Sequence, residues 1–201
     1  MAKFNGFSGA QLPVVTKAYQ ESRRILESIV TSKFGSDQFR QVFGQIMGGG
    51  ATSAVKAAEK VLEDTIKTMH LRIAGQSFDC TWEPTFGNTN ADMLSAKYTA
   101  SGSGSAHTNL IDDLRQQGVA PARLPMRLGP NFFNMPFRSL FDQSQTETFL
   151  HELSHHTAGT IDDDNGGDCY EWVGVCRLKG LGPDRAVRNA ENVAFFCVWL
   201  G

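Results

Sequence analysis

The reading of the chain turns on residues 144–164, Ser-Gln-Thr-Glu-Thr-Phe-Leu-His-Glu-Leu-Ser-His-His-Thr-Ala-Gly-Thr-Ile-Asp-Asp-Asp. At its centre, His151-Glu152-Leu153-Ser154-His155 is an HExxH sequence. On a helix, residues i and i+4 share a face, so both imidazoles can reach one metal ion. Zinc accepts neutral histidine nitrogens and leaves a position open for water. Glu152 stands where it can take a proton from that water. With five histidines in 201 residues, such a pattern arises by chance in roughly 0.005 of chains this size, which argues for a motif.

The flanks suit a helix. Ser144 and Glu147 have capping-box spacing. Phe149, Leu150 and Leu153 are expected to face a core, and Gly159 to end the helix. The third ligand needs a separate argument. His156 lies about 100° around the helix from His155, and no histidine follows it, which excludes the metzincin pattern. A ligand on a distal helix would have to be Glu171 or Glu191. Much closer is the run Asp162-Asp163-Asp164. A chain that turns at Gly159 can return one of these carboxylates to the metal. The competing readings of the run are a solvated turn or a calcium loop. An EF-hand fails because the twelfth position counted from Asp162 is Val173. The residues alone leave Asp162, Asp163 and Asp164 open as the third ligand.

Outward from this segment, the first third reads helical. Val14, Val15, Ala18, Tyr19, Ser22, Ile25, Leu26 and Ile29 follow helical spacing, and Gly35 is placed to cap. Ser36-Asp37 can start a second helix ending near Gly48. Thr52 or Ser53 opens a third, with Val55, Ala58, Val61, Leu62, Thr65, Ile66 and Met69 along one face. Residues 71–80, 95–100 and 124–128 are short β-like runs. The SGSGSAH loop at 101–107 lacks a phosphate-cradle pattern. Helices return around 144–157 and 183–197. This order predicts an α+β fold, one domain over 1–201, with helices, sheet and metal helix to about 157 and a C-terminal lobe over 158–201.

Composition narrows the function classes. Nineteen basic and 21 acidic residues give a net charge of −2, so no global field favours nucleic acid. No apolar run approaches ~20 residues, so no membrane span is expected. MAKFNGFSGAQLPVV lacks the apolar region of a Sec signal. Four cysteines without a CxxC pair support neither a disulfide scaffold nor a zinc ribbon.

The segment HELSHxxxGTxD resembles the deuterolysin and peptidyl-Lys metalloendopeptidase family, the aspzincins. Phe78-Asp79-Cys80, Ala96-Lys97-Tyr98, Arg127-Leu128-Gly129-Pro130-Asn131-Phe132-Phe133 and Asn189-Ala190-Glu191-Asn192-Val193-Ala194-Phe195-Phe196 resemble further family segments in the same order. The resemblance implies a zincin-like fold: N-terminal helices, a small twisted sheet whose edge can pair with substrate, the HExxH helix and a C-terminal helical lobe. It implies Zn²⁺ held by His151, His155 and Asp162, the aspartate of GTxD, with Glu152 as general base. The family places a tyrosine three residues after the aspartate. Here that position is Asn165, and Tyr170 is the tyrosine expected to steady the oxyanion. Glu191 and Tyr98 are expected at the substrate. Lysine-specific members carry acidic residues at the third and sixth positions of the closing helix segment. Here these are Glu191 and Ala194, so a weakened lysine preference is expected.

The function this implies is a zinc-dependent metalloendopeptidase that hydrolyses peptide bonds through a zinc-bound water activated by Glu152. The alternative is a catalytically degenerate zincin, serving as a zinc-binding interaction module or as a secreted effector with another amide substrate. The expected partner is a protein or peptide substrate, with no nucleic acid, no membrane and a monomeric state. The expected location is outside the producing cell by a route without a visible signal peptide, with the cytoplasm as the alternative.

Overall fold

Apolar stripes explain most of the helical elements. The computed structural model describes residues 2–75, 78–82, 84, 91–92, 126–163 and 170–201. Helix α1 (Gln11–Ser28) buries Val15, Ala18, Tyr19, Ser22, Ile25 and Leu26, the stripe read from the sequence, and runs on through a π-turn at Ile29–Lys33. Helix α2 (Asp37–Ile46) starts at Ser36, whose hydroxyl accepts the Phe39 N–H at 3.0 Å. It buries Phe39, Val42, Phe43 and Ile46. Helix α3 (Thr52–Ala74) buries Ala58, Leu62, Thr65, Ile66, Met69 and Ile73.

Two expectations change here. Val61, assigned to the buried face of α3, is exposed. The stretch 71–74, read as the start of a β-run, is the last turn of α3. Leu71 and Ile73 alternate as a strand would, but Ile73 sits four residues after buried Met69, and that contact keeps the helical register.

The sheet is small. Strand β1 (Lys3–Asn5) pairs in parallel with β2 (Asp79–Trp82), and β2 in parallel with β4 (Met126–Leu128). Strand β3 (Ala91–Asp92) lies antiparallel on the outer side of β4, giving the order β1-β2-β4-β3. Phe4, Cys80 and Met126 are in register across the three parallel strands. β1 was not read from the sequence, because three residues carry no alternation to detect. The β-like run 95–100 and the loop 101–107 lie outside the described residues.

Helix α4 (Gln145–Ala158) carries HExxH and packs against α1, α3 and α7 (Ala190–Leu200). Phe149, Leu150 and Leu153 are fully buried, as expected. Helix α7 is buried on every side from Ala190 to Val198, as a central core helix is. The expected helix over 183–197 is divided in the structure. Its residues form a single turn α6 (Pro183–Ala186) and then most of α7, and a helix outside the expected range, α5 (Glu171–Leu181), precedes them. Gly174 and Gly180 weaken the helical signal of α5, whose buried face holds only Gly174, Val175 and Leu178. Near the end of α5 the chain after α2 comes close: a Cβ on Gly48 (φ +90°) would meet the Lys179 carbonyl oxygen at 2.6 Å. Among the described residues no helix is long and apolar enough to cross a membrane.

Candidate metal centre

Helix α4 begins at Ser144, whose hydroxyl accepts the Glu147 N–H at 3.2 Å. The 3.6-residue repeat then places positions 147, 151 and 155 on one face. His151 and His155 meet edge to face, ring centroids 4.7 Å apart, with their Nε2 atoms 3.1 Å apart. Both rings are buried. Gly159 ends the helix in the left-handed conformation (φ 68°, ψ 31°), which an L side chain disfavours. The chain reverses there and leads through Thr160 and Ile161 to Asp162. Asp162 Oδ1 lies 3.2 Å from Nε2 of His151 and 3.2 Å from Nε2 of His155.

These three atoms form a nearly equilateral triangle. Ligands bonded at ~2.0–2.2 Å around a tetrahedral zinc stand about 3.3–3.6 Å apart, so donors at 3.1–3.2 Å need to open only slightly to hold one such ion. Their protonation supports the same fit. Nδ1 of His155 is 2.7 Å from the Thr160 carbonyl oxygen, which can only accept, so that nitrogen carries the proton. Nδ1 of His151 is 2.7 Å from Glu191 Oε2. Neutral rings held this way turn both Nε2 lone pairs toward Asp162 Oδ1, itself buried and without a well-formed hydrogen bond. Three converging electron-rich atoms require a cation among them. Without metal, protons answer part of that need. Burial pushes the His151 and His155 pKa values down, but the Asp162 carboxylate outweighs it, so both are raised; Glu191 adds to the rise at His151 and Glu152 to that at His155. Burial would raise Asp162, yet the two histidines hold it well below the usual carboxylate range.

Glu147, His151 and Glu191 form a second group of converging ligand-type atoms. The geometry fits hydrogen bonding better than a metal. Glu191 Oε2 already takes the His151 proton, and Oε1 accepts the Glu171 N–H at 2.6 Å. Glu171 reaches it at φ 56°, a left-handed conformation that costs a non-glycine residue on the order of 1–3 kcal/mol. Glu147 Oε1 is 4.0 Å from His151 Nδ1 and has no hydrogen-bond partner. Burial, with the Glu191 charge beside it, pushes the Glu147 carboxyl well up.

The other expected site residues fall as follows. Glu152 is partly buried beside His151. Tyr170 lies against His151, rings 6.2 Å apart, and its hydroxyl donates to Asp162 Oδ2 at 3.0 Å. Glu191 is 2% exposed, with both carboxylate oxygens engaged inside the protein. Asp163 turns away from the histidines to Arg185. Asp164 and Tyr98 lie outside the described residues. In sequence Glu147 reads only as a cap, although its spacing of four before His151 is a signal for a place on the metal face. The roles of Arg185 and Asn189 at Asp163 leave no local signal, because each is more than 20 residues from it.

Comparison with known proteins adds two findings. The family model described as lysine-specific metallo-endopeptidase, the aspzincins, matches residues 118–198. Among solved structures, a zinc peptidase from Grifola frondosa superposes with a TM-score of 0.63 at 16% identity, covering 95% of this chain and 96% of that one. No curated protein matches the chain in sequence.

Proposed function

We propose that the protein is a zinc endopeptidase using His151, His155 and Asp162 as ligands and Glu152 as general base, a reading supported by the match of residues 118–198 to the aspzincin family model. The observation that carries this reading is the triangle of Nε2, Nε2 and Oδ1 atoms, 3.1–3.2 Å on a side. A zinc ion there would supply a Lewis acid that polarises a peptide carbonyl and acidifies water. Glu152, on the turn that carries both histidines, takes the proton of the attacking water and returns it to the leaving amine. Glu191 orients His151 through Nδ1, and the Thr160 carbonyl does the same for His155. Tyr170 ties down the second oxygen of Asp162, which favours ligation through Oδ1 alone. Released from that bond, its hydroxyl can donate to the oxyanion.

Glu191 spends its charge on His151 and the Glu171 amide, so it offers little to a lysine ammonium. Cleavage products are therefore expected to begin with residues other than lysine as well, read by sequencing their new N-termini. Activity is tested on casein. Hydrolysis should stop on zinc chelation and return on zinc addition. Glu152→Gln should retain zinc and lose about 10²–10⁴ in rate, the usual weight of a general base. Turnover within about tenfold of wild type would remove Glu152 from that role. Zinc binding without hydrolysis by the unaltered chain would favour the interaction-module alternative.

A further inference from the structure

We propose that Arg185 is a positioning residue for the third metal ligand: it clamps Asp163, and so sets the neighbouring Asp162 to face the two histidines. The proposal rests on the zinc reading above and concerns how that site is preorganised.

An aspartate run is ambiguous because neighbouring carboxylates are chemically alike. Which of them faces the metal depends on what holds the others. Asp163 is held at every polar group. Its carboxylate takes the Arg185 guanidinium in a fork, Nε at 2.9 Å and Nη2 at 2.5 Å. Its N–H donates to Asn189 Oδ1 at 3.1 Å, and its carbonyl accepts from Arg177 Nη2 at 2.6 Å. On the other side of Asp162, Ile161 is equally fixed. Its N–H donates to the Arg188 carbonyl at 2.9 Å, and its carbonyl accepts the Ala190 N–H at 3.0 Å. Asp162 therefore hangs between two anchored residues.

The anchors reach into the rigid core. Asn189 is fully buried and donates to Asn192 Oδ1 at 2.9 Å; Asn192 in turn donates to the Ile46 carbonyl at the end of α2 at 2.9 Å. A ligand fixed this way is already ordered before the ion arrives, so binding loses less conformational entropy. Arginine suits the task, since its planar fork fixes the direction of a carboxylate where a lysine fixes only its distance. The Arg185 side chain is 35% exposed. Asp163 is buried, so losing Arg185 also costs some stability, and the mark of a positioning role is a loss of metal affinity in the protein that stays folded.

The test is zinc affinity, measured by competition with a chromophoric chelator, beside the urea midpoint of the metal-free protein. Arg185→Ala should weaken zinc about 10–100-fold, the usual effect of losing a partner that orients a ligand, in a protein whose urea midpoint is lowered but which still unfolds cooperatively. Arg185→Lys should fall between Arg185→Ala and wild type. Asp163→Asn, which keeps shape and loses the charge, should match Arg185→Ala, and the double variant should be no weaker than either alone. Asp162→Asn, the ligand itself, should be weakest of all. If Arg185→Ala and Asp163→Asn bind zinc within about twofold of wild type while Asp162→Asn loses it, well short of an orienting partner's usual effect, the clamp is overturned and the zinc reading stands. If Arg185→Ala does not fold, Asp163→Asn decides. If the unaltered protein shows no zinc affinity, the zinc reading itself fails.

Discussion

The two ends of the chain achieve burial by opposite means. In α1 to α3 the buried side chains are almost all apolar, with Ser22 and Thr65 the polar ones among the described residues. From Ser144 to Asn192 the buried set includes Ser144, Glu147, His151, Ser154, His155, Thr160, Asp163, Asn189, Glu191 and Asn192. The first region needs only apolar area and fit. The second has to find a partner for each polar group, because an unpaired buried one costs about 1–3 kcal/mol. The partners found are chains of contacts: Glu171 amide to Glu191 to His151, and α2 carbonyl to Asn192 to Asn189 to Asp163. The first region is a scaffold of interchangeable hydrophobes. The second is a polar core in which position and function depend on the same bonds.

The largest separation of the two should come from Phe39. Fully buried on α2, it packs edge to face on Phe196, ring centroids 5.2 Å apart. Phe39→Ala should cost about 3–5 kcal/mol of stability by urea unfolding, yet leave the zinc affinity of the folded protein within about twofold, because an apolar ring contact orients no ligand by hydrogen bonding. A loss of zinc affinity comparable to that of Asp163→Asn would mean that the two regions are not separable.

A smaller effect, of opposite sign, is expected from Glu147. Its carboxyl is raised in the folded state by burial and by Glu191. Folding therefore takes up a proton above the ordinary glutamate range, near ~4.3, and stability falls as pH climbs from there toward the folded-state pKa. Glu147→Gln removes that penalty. In metal-free protein it should raise the urea midpoint at pH 7, with the gain vanishing as pH is lowered to about 4, where the unfolded glutamate is protonated as well. A gain independent of pH would show that folding does not raise this carboxyl's pKa, and a loss at pH 7 that the carboxyl is ionised and paired in the fold.

Legibility in the sequence follows the same division. Local patterns were readable. The stripe of α1 matches its buried face, that of α3 does so except at exposed Val61, and Gly159 ends α4 in the left-handed conformation that the turn toward Asp162 requires. HExxH is readable because its chemistry lies within one helical turn. What could not be read depends on tertiary partners. Glu147 N–H takes the cap at Ser144, while its side chain turns inward to Glu191 and His151, a choice set by α7. Local residue chemistry does not separate Asp162 from Asp163; beyond the GTxD resemblance, what separates them is Arg185, 22 residues after Asp163, placed against that carboxylate. Helix α5 was hidden by its glycines, and the last turn of α3 by a two-residue alternation that mimics a strand.

The central claim is that one zinc ion belongs between α4 and the turn after Gly159. The most direct measurement is an anomalous-difference map at the zinc edge from crystals grown with stoichiometric zinc. The account predicts a single peak within ~2.0–2.2 Å of His151 Nε2, His155 Nε2 and Asp162 Oδ1. A peak on the Nδ1 side of His151, between Glu147 and Glu191, or no ordered zinc at all, would contradict it.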